Sequence, residues 1–155
     1  MEMDVRFQVG KQRFNFRSAG ILIENGHVLL HKEISAPHWV LPGGGIEMGE
    51  PSEESIVREM KEELGYAVKA GHVPWIAENF FEYEGEAMHE LGFYYILTSP
   101  VSHFQEGVFH GLEGERLIYQ WLPIDRLENY ELMPPFLTGA LKDIPEATKH
   151  VLVQR

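Results

Sequence analysis

Residues 44–66 read GGIEMGEPSEESIVREMKEELGY, and they constrain the fold of this chain more than any other stretch. Seven Glu stand there against Arg58 and Lys61. Pro51 suits an early helix position and Gly65 suits the residue just past a helix end, so the spacing predicts a helix between them. At ~100° per residue, with Glu59 at zero, Glu63 lies at about 40° and Glu62 at about 300°. Ile56, Met60, Leu64 and Val57 fall between about 60° and 160° on the same scale. Such a helix must lay one stripe on a core and leave an adjacent stripe of carboxylates facing elsewhere. Like charges three and four residues apart repel. A divalent cation would turn that repulsion into ligation, because Mg²⁺ takes oxygen ligands and keeps several of its own waters. Taken alone, an E-x-x-E-E cluster is more simply a solvated acidic face. The preceding glycine turn, Gly43-Gly44-Gly45, is not a P-loop, since no Gly-Lys-Ser/Thr follows it.

The rest of the chain supplies a sheet for that helix. Val5, Phe7 and Val9 alternate with polar residues, and so do Phe14 and Phe16, with Gly10-Lys11 as the turn between two strands. A second hairpin is expected at 19–23 and 27–31, around Asn25-Gly26. A short strand is expected at His38 to Leu41, further strands near 76–83, 88–98 and 117–122, and short helices at 123–129 and 135–142. Residues 99–116 have no clear period and read as a long loop, which is often functional. Strands mixed with a few helices imply an α/β or α+β sandwich.

Composition excludes several classes. At 155 residues the chain is read as a single domain, 1–155, with enough length to bury a core. It has no cysteine, hence no disulfide framework and no thiolate metal site. No apolar run approaches the ~20 residues that span a bilayer, and the N-terminus lacks a signal-like apolar stretch, so a cytoplasmic location is expected. The net charge of −11 argues against an extended nucleic-acid partner. Arg6, Lys11, Arg13 and Arg17 stand against only Glu2 and Asp4 near the N-terminus, and an anionic substrate could bind once metal neutralised the acidic cluster.

The segment resembles the Nudix box, the signature of the Nudix hydrolases: G-x5-E-x7-R-E-U-x-E-E-x-G-U, where U is a bulky aliphatic residue. Gly44, Glu50, Arg58-Glu59, Met60, Glu62-Glu63 and Gly65 fall on every fixed position, and Leu41-Pro42-Gly43-Gly44 resembles the usual lead-in. The one departure is Tyr66, at a packing position that ordinarily holds an aliphatic residue. The resemblance implies an α/β/α sandwich with a mixed central sheet and a loop–helix–loop motif. It also implies hydrolysis of a nucleoside diphosphate linked to a further group. Nucleoside triphosphates or dinucleotide polyphosphates come first as substrates. ADP-ribose, a nucleotide sugar, or a non-catalytic nucleotide-sensing role stand as alternatives.

Carried over by position, Glu59, Glu62 and Glu63 would bind Mg²⁺, with Mn²⁺ as a substitute and the Gly43 carbonyl as a further ligand. Arg58 would hold a box carboxylate, Glu59 first among them, and Glu50 would support the site. A further acid is expected on the loop before Tyr119-Gln120-Trp121, with Glu115 preferred to Glu113. Arg13 and Arg17, on one strand face, suit phosphate recognition, although a polar outer face explains them as well. Tyr83 follows the box at a distance where some dinucleotide polyphosphate hydrolases carry a tyrosine. His103 and His110 read as ordinary loop residues. A homodimer is expected from family habit alone.

Overall fold

The structure, a computed structural model, describes residues 3–154. Glu2, counted in the N-terminal charge balance, and both ends of the 1–155 domain span lie outside the described residues. In chain order the elements are β1 (Arg6–Val9), β2 (Gln12–Glu24), β3 (His27–Glu33), β4 (Gly43–Gly45), α1 (Ser52–Leu64), β5 (Lys69–Ala70), β6 (Trp75–Tyr83), β7 (Glu86–Thr98) and β8 (Leu117–Pro123). A 3₁₀ turn (Ile124–Asn129), α2 (Leu137–Ala140) and β9 (Lys149–Val153) complete them.

The strands form one mixed sheet in the order β8-β3-β2-β7-β6-β9, with β1 and β4 also on β2 and β5 on β7. Strand β2 is its spine. It runs parallel to β7 from Gln12↔Ala87 to Leu22↔Leu97 and antiparallel to β1, β3 and β4. Alternation along β2 and its neighbour β3 sorts their side chains into two cores. Leu22 and Leu29 face α1, where they pack with Ile56, Met60, Leu64, Leu97 and Trp121. Ala19, Ile21, Val28 and Leu30 face the other way and pack with Leu127, Leu132, Leu137 and Leu141. The sheet therefore lies between α1 and the helical turns of the C-terminal third, as the sandwich expectation required. Among the described residues no helix is long and apolar enough to cross a membrane.

Both hairpins form as read, with Asn25 and Gly26 at positive φ in the second turn. The strand expected at 38–41 does not form. Trp39 and Val40 make single bridges to Leu132 and His31, and the strand falls instead on the three glycines. The reason is steric. A Cβ on Gly43 would lie 2.0 Å from the Ser18 carbonyl oxygen, so only a chain without side chains can approach β2 this closely. Helix α1 fills the span between Pro51, which is the extended N-cap just ahead of it, and Gly65, on which it ends at φ 73°. The buried hydroxyls of Ser18 and Ser55, 2.9 Å apart, fasten its first turn to β2. The second short helix shrinks to Leu137–Ala140, behind Pro134 and Pro135. Strand β9, five residues long and largely exposed, carried too little pattern to be read.

One core feature has a measurable cost. His31 is 6% exposed, and among the described residues neither ring nitrogen finds a hydrogen-bond partner. Its ring stacks on Tyr119 with centroids 5.2 Å apart. Burial first, then the Arg17 charge, lowers its pKa to about 3. The unfolded chain takes up a proton near the ordinary value of 6.5, whereas the folded chain resists down to about 3. Stability is therefore lost as pH falls below 6.5 and is unaffected above it. We expect the wild type to lose on the order of 2 kcal/mol between pH 7.5 and pH 5 that His31→Leu retains. Chemical denaturation of both proteins at the two pH values measures this, and equal losses would contradict it.

Candidate active site

The box folds around Arg58. Its Nε donates to Glu50 Oε2 at 2.7 Å and its Nη2 to Glu50 Oε1 at 2.9 Å. Nη1 donates to Glu59 Oε1 at 3.0 Å and Glu62 Oε2 at 3.2 Å and lies 3.6 Å from Glu47, while Nη2 also reaches the Gly45 carbonyl at 3.3 Å. The guanidinium thus ties the loop from Gly45 to Glu50 onto the middle of α1. The sequence reading put Glu59 first among its partners, but the bidentate partner is Glu50. A planar fork of donors matches one carboxylate edge-on, and Glu50 meets it that way from the loop. These bonds hold the Glu50 carboxyl below its usual range and keep Arg58 charged.

The other carboxylates are compressed. A Cβ on Gly44 would lie 2.5 Å from the Glu59 carboxyl carbon, so the carboxylate occupies the space that a side chain would fill. Glu63 is 7% exposed, and burial, then the Glu59 charge, pushes its pKa up to about 8. Burial also raises Glu59, against the pull of Arg58. Glu62 is the outermost of the three, its side chain half exposed. The Glu63 backbone carbonyl accepts from the Leu112 N–H at 2.7 Å, and a Cβ on Gly111 would lie 2.4 Å from that oxygen. The long loop therefore docks on the end of α1 through a residue that must be small. From β8, the Tyr119 hydroxyl donates to Glu63 Oε2 at 3.4 Å.

Among the described residues, no three Asp, Glu or His side chains converge closely enough to cage a metal ion in this conformation, and Arg58 Nη1 sits between Glu59 and Glu62. The donor set nonetheless fits a hard divalent cation. It offers carboxylate oxygens, it gathers more negative charge than one guanidinium offsets, and burial makes that charge costly. Gly43 precedes this cradle in β4, opposite Ala19.

The remaining candidates separate. Glu113 is among the charges that raise Glu63 and Tyr119, whereas Glu115 is not among their main electrostatic neighbours. Gly114, between the two acids, turns the loop at φ 101°. Arg13 pairs with Glu86 at 2.9 Å near the β1–β2 turn and does not join the box. Arg17 donates to the Leu41 carbonyl at 2.6 Å, pairs with Gly45 across β2–β4, and lowers Glu63.

Arg17 and Leu41 also line a cleft of about 370 Å³ on the sheet face opposite α1. The box carboxylates do not line it. Tyr83, exposed at 47%, lies at its rim, and Asn79, Glu90 and Tyr94 are on its floor. The sequence reading gave Asn79, Glu90, Gly111 and Tyr119 no role. For Asn79 and Glu90 the available signal was a polar residue at an inward position of each of two paired strands.

Comparison with known proteins agrees with this geometry. The family model described as NUDIX domain matches residues 15–143. The nucleoside triphosphatase NudI of Klebsiella pneumoniae is 33% identical over 121 residues, covering 72% of this chain and 84% of that one. A putative 8-oxo-dGTP diphosphatase of Bacillus subtilis is 48% identical over 46 residues, a match that spans 30% of this chain and 31% of that protein. A crystal structure of a NUDIX-family hydrolase from Clostridium perfringens superposes with a TM-score of 0.58 at 20% identity, covering 83% of this chain and 96% of that one. The fold, the box geometry and the extent of the family match together establish that the chain is a MutT-like member of the Nudix hydrolase family.

Proposed function

We propose that the chain hydrolyses a pyrophosphate bond in a nucleoside triphosphate, using a divalent cation, Mg²⁺ or Mn²⁺, held by Glu59, Glu62 and Glu63 with the Gly43 carbonyl as a further ligand. The observation that carries this reading is the compressed carboxylate face of α1, which adjoins a nucleoside-sized cleft through Arg17. The cation would neutralise phosphate charge and lower the pKa of bound water. The side chains supply the rest. Arg58 fixes the loop and spaces the carboxylates. Arg17, between cleft and box, faces the phosphates of a bound nucleotide, and Tyr119 orients Glu63. Glu113 takes the proton of the attacking water as that water adds to phosphorus and the bridging P–O bond breaks. The similarity to the Klebsiella nucleoside triphosphatase supports a nucleoside triphosphate ahead of a dinucleotide polyphosphate, an ADP-ribose or a nucleotide sugar.

Two outcomes are expected. Glu62→Gln and Glu63→Gln should each cut kcat on nucleoside triphosphates by roughly a hundredfold or more while Tm stays near wild type. Phosphate release in a pyrophosphatase-coupled assay measures this, and unchanged metal-dependent turnover would remove these residues from the site. Glu113→Gln should lower kcat by about tenfold to a hundredfold, whereas Glu115→Gln should stay within about threefold of wild type. The opposite ranking would restore Glu115 as the acting acid.

A further inference from the structure

The floor of the cleft carries two polar side chains, Glu90 and Asn79, that the pyrophosphate chemistry does not need. Across three strands, Asn15 on β2 pairs with Glu90 on β7, which pairs with Asn79 on β6. The next row toward the box is Arg17, Gly92 and Ala77, and the small residues there open the concavity. A Cβ on Gly92 would lie 3.0 Å from the Tyr94 ring, so that ring leans over the glycine and closes one side. Asn79 is 7% exposed, stands directly across from Glu90 on the paired strand, and lines the cleft with it. Burial disfavours the Glu90 charge, while Arg17 and Asn79 favour it. Phe81 and the apolar segment around Pro134 enclose the rest. A carboxylate and an amide side by side in a largely apolar cleft offer a ligand both acceptors and donors.

Resting on the nucleotide reading above, we propose that Glu90, assisted by Asn79, selects the nucleobase, and that the base it selects is guanine. Guanine presents two adjacent donors, N1–H and the exocyclic N2–H, beside the O6 acceptor. The Glu90 carboxylate can accept both donors, and the neighbouring Asn79 amide can donate to O6. Adenine and cytosine place a ring acceptor beside their amino group, and uracil flanks its single N–H with two carbonyls. Each would set a lone pair against the carboxylate, and an unpaired buried polar group is heavily penalised. Hypoxanthine keeps N1–H and loses the second donor.

The test is kcat/KM for GTP, dGTP, ITP, ATP and UTP with Mg²⁺, together with calorimetric binding of GMP and AMP, which needs no turnover. The wild type should favour GTP over ATP by at least about tenfold, with ITP between them. GMP should bind correspondingly tighter than AMP. In Glu90→Gln, checked for unchanged Tm, the GTP-to-ATP ratio should fall by about tenfold or more, because the amide offers one acceptor where the carboxylate offered two. Equal use of GTP and ATP by the wild type, or a ratio that Glu90→Gln leaves unchanged, would overturn the proposal. Absence of hydrolysis on any nucleotide would instead count against the proposed activity. The GMP and AMP affinities would still decide base selection in that case. Similar values for GTP and dGTP would place the selection in the base and not the sugar.

Discussion

The Arg58 guanidinium is the constraint on which the rest of this site depends. It meets Glu50 through two bonds at 2.7 and 2.9 Å, reaches the Gly45 carbonyl, and touches Glu59 and Glu62. Charge-assisted hydrogen bonds of this kind are worth about 1.5–3 kcal/mol each. Their larger effect here is geometric. One planar cation closes the loop from β4 onto α1 and sets the spacing of the carboxylates that project beside it. Loss of the bidentate fork would leave several part-buried carboxylates facing one another, and their repulsion would push the loop away.

That arrangement stores an electrostatic demand. Glu59 and Glu63 are both desolvated and both pushed toward the protonated form, and Glu113 adds to the pressure on Glu63. Arg58 satisfies part of the demand. The divalent cation proposed above would satisfy the rest. The glycines complete the device. Gly44 leaves room for the Glu59 carboxylate, Gly43 allows β4 to lie against β2, and Gly111 lets the long loop dock on the Glu63 carbonyl. Each is required by a close approach, so the backbone and the acidic face are built as one unit.

Much of this was legible in the residues. Helical spacing separated the core stripe of Ile56, Met60 and Leu64 from the carboxylates, and the two cores on opposite faces of the sheet bear that out. The hairpins followed from Asn25-Gly26 and Gly10-Lys11. What escaped was tertiary. No local pattern says that three glycines form a strand, because the cause is the close approach of Ser18. Nor does spacing along the chain reveal that Gly111 brings the long loop onto the Glu63 carbonyl. Arg13 and Arg17 look alike on one strand face. Only the pairing of β2 with β4 brings Arg17 to the box and leaves Arg13 with Glu86. Asn79 and Glu90 gain meaning only when the pairing of β6 with β7 sets them side by side.

The central claim is that Arg58 and Glu50 act as one unit in positioning the carboxylates. A double-mutant cycle with Arg58→Lys and Glu50→Gln, read in kcat/KM, tests it most directly. The account predicts strong coupling. Each single substitution should lower kcat/KM by about tenfold or more, and the double variant should fall little further than the worse single variant. Losses that simply multiply would show two independent residues and would contradict the account.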